Sequence, residues 1–294
     1  MNTNNNSKEN EFYDKAFNRN KGLISEERQN ILRNARVAIP GLGGVGGIYA
    51  TTLARLGIGN FTIADIDTFS IVNFNRQAGA TISTTGKEKV QTIKNMILDI
   101  NPYADVKTFP GINEENIDDF LNDVDIIADG IDFFEIDVRR MLFRVAREKG
   151  IPAVTAAPIG FGSTLLVFDK DSMRFDDYFN INDKMPVNEK LVSFAIGLSP
   201  SLIHRSYYLP KTLKLNERLA ASSVIGTLAC ANWVADEIYK ILCKMPYQTA
   251  PISYQFDPFV KKLKRINLWW GNKHPFQRFK KWYFLRMLAE KQND

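Results

Sequence analysis

Residues 36–67 constrain this chain more than any other stretch. Arg36-Val-Ala-Ile39 is a short apolar run of strand type, and Gly41-Leu-Gly43-Gly44-Val-Gly46 follows it directly. Ile48 to Leu56 has helical composition and is closed by Gly57-Ile-Gly59. A second strand, Phe61-Thr-Ile-Ala64, ends on Asp65-Ile-Asp67. Strand, glycine turn, helix, strand and acid in this order make a nucleotide-binding βαβ unit. The glycines let backbone approach a pyrophosphate, and the helix start points N–H groups at that anion. Asp65 lies 19 residues after Gly46, where a carboxylate can accept from ribose hydroxyls. The glycine pattern is weak evidence by itself; the flanking strands and the acid in register give it its force.

The alternation continues downstream. Lys89–Leu98 has helical period and stops at Asn101-Pro102, Ala104–Phe109 reads as a strand, and Glu114–Leu121 as a helix. Val124–Ala128 is a strand ending on Asp129-Gly-Ile-Asp132, and Phe134–Lys149 is an amphipathic helix. Pro152–Ala157 and Ser163–Phe168 are further strands. This predicts an α/β fold: a Rossmann-like, mostly parallel sheet with helices on both faces, plus a C-terminal crossover insertion and a helical tail. The expected divisions are an N-terminal helical arm over 1–34, with 1–10 disordered, and a nucleotide-binding α/β core over 35–168. A crossover insertion, dimer helix and closing strand follow over 169–258, then a basic aromatic tail over 259–294. Within these, Asp169–Pro210 shows no clear period, Ala220–Leu242 reads as an apolar helix, and Pro275–Lys291 as a basic terminal helix. The length suits one large domain with appendages.

Composition narrows the function. Two cysteines, Cys230 and Cys243, and two histidines, His204 and His274, provide neither a disulfide framework nor a four-cysteine zinc site. No 18-residue apolar run and no signal peptide are evident, so a cytoplasmic protein is expected. The net charge of +5 is uneven: from Lys261 onward ten Lys and Arg face two acids, a local +8 that leaves −3 on the remainder.

The charges discriminate between cofactors. A dinucleotide pyrophosphate needs little beyond a glycine loop and a helix start. A nucleoside triphosphate with Mg²⁺ needs more cations and a hard carboxylate. Arg19, Arg76 and Lys89 with Asp132 supply that set if they converge, which favours ATP over NAD.

GLGGVG, the acids of ADID, then NFNRQ, GKEK and DGID together resemble the ubiquitin-activating enzyme superfamily. This ThiF/MoeB/HesA-like class includes the adenylating enzymes of sulfur-carrier proteins and the tRNA threonylcarbamoyladenosine dehydratases. The resemblance runs from about Phe17 to Phe168 and returns at Ser223–Leu228, which looks like the family's dimer helix. It implies a phosphate loop of Gly41, Gly43, Gly44 and Gly46, and Asp65 on ribose. Asn73, Arg76, Gln77 and Lys89 would lie at the nucleotide, with Lys89 at the family's lysine position. Asp132 would hold Mg²⁺, and Arg19 would reach across a homodimer into the partner's site. Catalytic roles then fall to Arg19, Arg76, Lys89 and Asp132. The implied reaction is attack of a carboxylate on the α-phosphate of ATP, releasing pyrophosphate. The carboxylate belongs to the C-terminus of a ubiquitin-like, sulfur-carrier or precursor protein, or to a small acid.

The departures are informative. The family's zinc tetrad is absent, Pro40 replaces the usual strand residue before the loop, and Phe133 follows Asp132. The crossover over 169–215 lacks a cysteine, which argues against an enzyme thioester. Plainer roles stand beside several residues. Cys230 and Cys243 suit small core positions, with a reactive thiol as the alternative. His204 is either a surface residue or a substrate contact. Asp67 is a ligand or metal contact, or a turn residue, and Asp129 supports the site. Lys87 is solvated, and Arg19 is alternatively a surface residue. The tail is open to packing on the body or a second subunit, to nucleic acid, or to a membrane interface. The rival functions are an RNA-modifying dehydratase, an NAD-dependent oxidoreductase on the same fold, and a nucleotide-binding scaffold.

Overall fold

The computed structural model describes residues 3–208, 218 and 220–290. Residues 209–217 and 219 of the expected crossover, and 291–294 of the tail, lie outside it. The chain divides into two compact units, residues 1–130 with 234–247, and residues 131–233 with 248–294.

The first unit opens with α1 (Thr3–Ala16) and α2 (Glu26–Asn34). The expectation of disorder over 1–10 is not met from Thr3 to Asn10, which open α1; residues 1 and 2 lie outside the described residues. Glu9 on α1 pairs with Arg33 on α2 at 2.8 Å, and Tyr13 is buried, so local charge and one aromatic anchor hold this helix. Ser25 caps α2 by accepting from Arg28 N at 3.3 Å.

Four strands follow: β1 (Arg36–Pro40), β2 (Asn60–Ala64), β3 (Asp105–Phe109) and β4 (Ile126–Asp129). β1 lies between β2 and β4, β3 lies outside β2, and every pairing is parallel. Parallel neighbours require crossovers, supplied by α3 (Gly46–Leu56), α4 (Lys89–Ile100) and α5 (Ile117–Phe120). All five residues of β1 are buried, which is why the strand reads as a continuous apolar run. Burying Val37 and Ile39 fully contributes about 1.5–3 kcal/mol each. Arg36 is also buried; its guanidinium donates to Phe61 O at 3.0 Å and pairs with Asp105.

The second unit contains α6 (Ile136–Lys149) and β5 (Ala153–Thr155). β6 (Pro158–Ile159) and β7 (Gly162–Phe168) come next, then α7 (Phe175–Phe179), α8 (Val187–Leu198) and α9 (Val224–Leu242). Residues 234–242 of α9 belong with the first unit. β8 (Ile252–Asp257), β9 (Lys262–Asn267) and α10 (Pro275–Glu290) complete it. Its ladder is antiparallel: β7 pairs with β5, β6 and β8, and β8 pairs with β9.

Two differences from the sequence reading matter. The stretch after Asp169, expected to lack regular structure, contains α7 and α8. The Phe175 and Phe179 rings lie 4.6 Å apart at a tilt of 49°, and Phe194 meets Phe179 edge-on at 4.9 Å. Eight of the twelve residues of α8 are buried, so the helix carries no polar stripe and its period is hidden. The second difference is β9, a charged strand inside what read as a tail; its pairing with β8 gives the second unit its own sheet edge.

Candidate functional site

The glycine turn is built from collisions that only glycine avoids. β1 ends at Pro40, whose carbonyl accepts from Gly130 N at 3.1 Å, and Gly41 N donates to Ala64 O at 2.7 Å. Pro40 is thus the last residue of β1, directly before the glycine turn. Gly41 has φ +82°, and a Cβ added at Gly46 would lie 1.8 Å from Gly41 O. Gly130, just after β4, is similarly tight: its Cβ would approach Gly41 O to 2.3 Å. The chain thus folds back on itself and leads into α3 at Gly46, whose first N–H groups have no partner within the helix.

Asp65 stitches this turn to the end of β2. Its carboxylate accepts from Leu42 N at 2.6 Å and from Asp67 N at 2.8 Å. Burial pushes the Asp65 carboxyl above the usual aspartate range, outweighing those two donors and the Lys89 charge. The consequence for binding has a definite sign. An ionised carboxylate accepts from ligand hydroxyls through both oxygens, and protonation turns one of them into a donor. Nucleotide affinity is therefore expected to fall as pH drops through the raised value, at a higher pH than an ordinary aspartate gives. Folding stability runs the other way, declining as pH rises from the ordinary value to the raised one, because the native state holds the proton longer. Calorimetric titration with ATP across this range checks the first effect, and Asp65→Asn should remove the pH dependence.

Lys89 opens α4 and is only 5% exposed. Its Nζ lies 2.9 Å from Asp67 Oδ2, and its backbone N donates to Asp67 O at 2.9 Å. Asp67 is itself exposed, so a buried cation is held by a carboxylate at the surface. The loop between them closes on itself. Phe69 N donates to Lys87 O at 2.9 Å and Gly86 N to Phe69 O at 2.8 Å, which leaves the Lys87 side chain exposed.

That loop carries the Asn-Phe-Asn-Arg-Gln run. Asn73 is buried, but its Oδ1 accepts from Ser70 N at 3.0 Å and so serves a capping box. Arg76 donates to Val72 O at 3.0 Å and Asn75 Oδ1 at 2.9 Å, both within its own turn. Gln77 is buried, and its Oε1 has no hydrogen-bond partner among the described residues. A Cβ at Gly43 would stand 3.7 Å from Gln77 Nε2, which places this amide against the glycine turn. The first unit thus joins the turn, Asp65, Asp67, Lys89 and Gln77. A cradle, a carboxylate, a buried cation and an unpaired amide oxygen fit a nucleotide.

Other expected residues are placed differently. Arg19 is exposed on the 3₁₀ turn Asn18–Asn20, and its guanidinium makes no ion pair or hydrogen bond among the described residues. In the second unit Asp132 is exposed, with Oδ1 accepting from Phe134 N at 2.9 Å. Asp129, the last residue of β4, is buried. His204 is not a surface residue: it is buried, with Nδ1 3.3 Å from Ser199 Oγ, and burial lowers its pKa. Cys230 is buried, and burial pushes the Cys243 thiol up.

Arg139 was invisible as a site residue in the sequence. It is 4% exposed, and its guanidinium donates to the carbonyls of Ile131 and Asp132, the latter at 3.2 Å. It also lies 4.7 Å from the Phe194 ring centroid. It therefore fixes the backbone of the turn that presents Asp132. The only signal was its place on the inward face of α6, seven residues beyond Asp132.

The chain is 36% identical over 144 residues to tRNA threonylcarbamoyladenosine dehydratase of Bacillus subtilis, covering 48% of this chain and 55% of that protein. It is 30% identical over 146 residues to molybdopterin-synthase adenylyltransferase of Haemophilus influenzae, covering 49% and 59%. The chain thus spans little more than half the length of these relatives. Among solved structures, PaaA aligns with TM-score 0.64 at 20% identity, over 91% of this chain and 84% of that one. Escherichia coli MccB with ATP aligns with TM-score 0.58 at 21% identity, over 82% and 66%. At these identities the likeness is one of fold. The sequence profile of the ThiF family matches residues 17–278, and the chain belongs to that family.

Proposed function

We propose that the chain is an ATP-dependent adenylyltransferase that activates a carboxylate. The observation that carries this reading is the buried Lys89, held by Asp67 beside a glycine turn that Asp65 ties down. A carboxylate oxygen attacks the α-phosphorus, the bond to the bridging oxygen breaks, and pyrophosphate leaves with the electron pair. An anionic nucleophile approaches an anionic phosphate, so the site must supply fixed positive charge and oriented N–H groups. Gly41, Gly43, Gly44 and Gly46 would cradle phosphates, and Asp65 would accept from ribose. Lys89, Arg76, Asn73 and Gln77 would face the nucleotide. Asp132 would hold Mg²⁺, which supplies charge neutralisation at the phosphates. Its Oδ2 makes no hydrogen bond among the described residues, and one carboxylate with substrate phosphates suffices for this ion. Arg19, exposed and unpaired, suits a role in the partner's site of a homodimer.

The family name and a relative named as an adenylyltransferase support this reading, as does a structural neighbour crystallised with ATP. MccB has also been crystallised with MccA, which favours a polypeptide carboxylate over a small acid. A second reading keeps the adenylation chemistry and makes RNA the substrate; the 36% identical dehydratase favours it.

Pyrophosphate–ATP exchange tests the proposal, with pooled host carboxylates as substrate and Asp132→Asn and Arg19→Ala beside wild type. Substrate-dependent exchange lost in both variants is expected. ATP binding without exchange for any pooled acid or tRNA would indicate a scaffold, and no ATP binding would overturn the proposal. A thiol-free mechanism adds a second expectation. The double variant Cys230→Ala, Cys243→Ser should keep exchange within about twofold, since neither thiol lies in the crossover, Cys230 is buried, and burial pushes the Cys243 thiol up.

A further inference from the structure

The second unit ends its ladder on an uncovered strand. Among the described residues β9 pairs with β8 alone. Five of its six residues are exposed and Ile266 is partly so, leaving neither face packed. Such an edge presents a row of backbone N–H and C=O groups to solvent. The register with β8 puts Lys262 and Lys264 on one face, across from Asp257 and Gln255. Leu263 and Arg265 lie on the other, across from Phe256 and Tyr254.

Charge sets this edge apart. No acid occurs from Pro258 to Ala289, against nine Lys and Arg. The cations of α10 are partly committed: Lys280 donates to Pro200 O, and Lys281 pairs with Glu189 at 2.7 Å. Those of the edge are not. Lys261, Lys262, Lys264 and Arg265 make no ion pair among the described residues, and Arg265 donates only to Gln248 Oε1 at 3.1 Å.

We infer that the free edge of β9 is a docking strand for an extended polypeptide segment rich in Asp and Glu, which pairs with it as an added strand. Backbone groups supply the pairing, and the alternating cations select for acids on either face. The same cations repel a second β9, which excludes edge-to-edge pairing of two copies. A phosphate backbone satisfies the cations but offers no matching row of peptide N–H and C=O groups. That the segment belongs to the substrate polypeptide rests on the adenylation reading; the docking strand does not.

The test uses the full chain without ATP. The probe is a fluorescein-labelled peptide of alternating Glu and Val, as long as β9, followed by anisotropy. Binding is expected to weaken at least about tenfold in Lys262→Glu/Lys264→Glu and for the probe with Lys in place of Glu. Only one edge of a strand can face β9. N-methylation of one alternate set of probe residues should therefore abolish binding, and methylation of the other set should leave it unchanged. Exchange of the backbone amides of 262–267 should slow on binding. Indifference to both methylation patterns, tighter binding of an oligothymidylate, or no binding of the acidic probe would each overturn the inference. ATP titration of the same double variant separates this result from the adenylation reading. In the double variant, intact nucleotide binding with weakened peptide binding supports the docking strand; in the wild-type chain, intact nucleotide binding with no binding of the acidic probe sinks the docking strand alone.

Discussion

Gly46→Ala is expected to abolish ATP binding and to destabilise the first unit, although alanine is the better helix former. The two effects oppose each other and differ in size. Alanine at a helix position gains about 1 kcal/mol over glycine. The added Cβ, however, would stand 1.8 Å from Gly41 O. A Cβ has no rotamer to escape into, and the atom it meets is backbone, so the turn itself must open. Overpacking of this kind costs about 1–3 kcal/mol where neighbours can yield, and more where they cannot. Gly130 presses on the same carbonyl, with its own Cβ position 2.3 Å away, so the turn has nowhere to move. The net result should be a lower unfolding temperature and at least about 100-fold weaker ATP binding, since the displaced backbone is the proposed phosphate cradle. Gly43→Ala is the control. Its Cβ meets only Gln77 Nε2, at an ordinary 3.7 Å, so it should unfold near wild type. Thermal unfolding and ATP calorimetry on the two variants decide the matter. Wild-type affinity in Gly46→Ala would remove the turn from the nucleotide site.

Lys89→Met should leave the fold nearly intact and lower pyrophosphate exchange by about 10²–10³-fold, the usual loss on removing one preorganised electrostatic contact. The stability side is small for a reason visible in the pair. The Lys89 side chain is 6% exposed, but that of Asp67 is 62% exposed. Removing the lysine strands a carboxylate that water already solvates, a cost of roughly 1 kcal/mol or less. Methionine fills the space of the aliphatic stem. A large activity loss with little change in unfolding temperature is therefore the signature of a catalytic cation. Equal losses in both would make Lys89 a structural ion-pair residue. Arg in its place is not expected to rescue, because a planar guanidinium does not fit a buried point-charge site.

The sequence reading and the structure diverge in an orderly way. Each step from β1 through the glycine turn and α3 to Asp65 depends on residues close in the chain. It was legible as composition, turn chemistry and one acid at the end of a strand. The Ser25 cap is equally local, since its bond spans three residues. What stayed hidden required partners far away in sequence. α8 is buried nearly all round, so it left no amphipathic stripe to read. β9 is rich in lysine and became a strand only because β8 pairs with it. Arg139 looked like one of many helix arginines until its guanidinium met the carbonyls of Ile131 and Asp132. Asn73 and Arg76 show the converse. Resemblance marked them as nucleotide contacts, and here their side chains are engaged in local turn bonds.

By itself the sequence determined the βαβ unit, the positions of the glycines and the acids at the strand ends, because steric and hydrogen-bonding rules act there over a few residues. Tertiary structure alone decided which charges meet. Lys89 reaches Asp67 across 22 residues, and Leu42 N reaches Asp65 across 23. The physical reason is that a buried cation or an unpaired amide oxygen is defined by what surrounds it. Only the folded chain, by excluding water from Lys89 and Gln77, gives those side chains the environment that a nucleotide site requires.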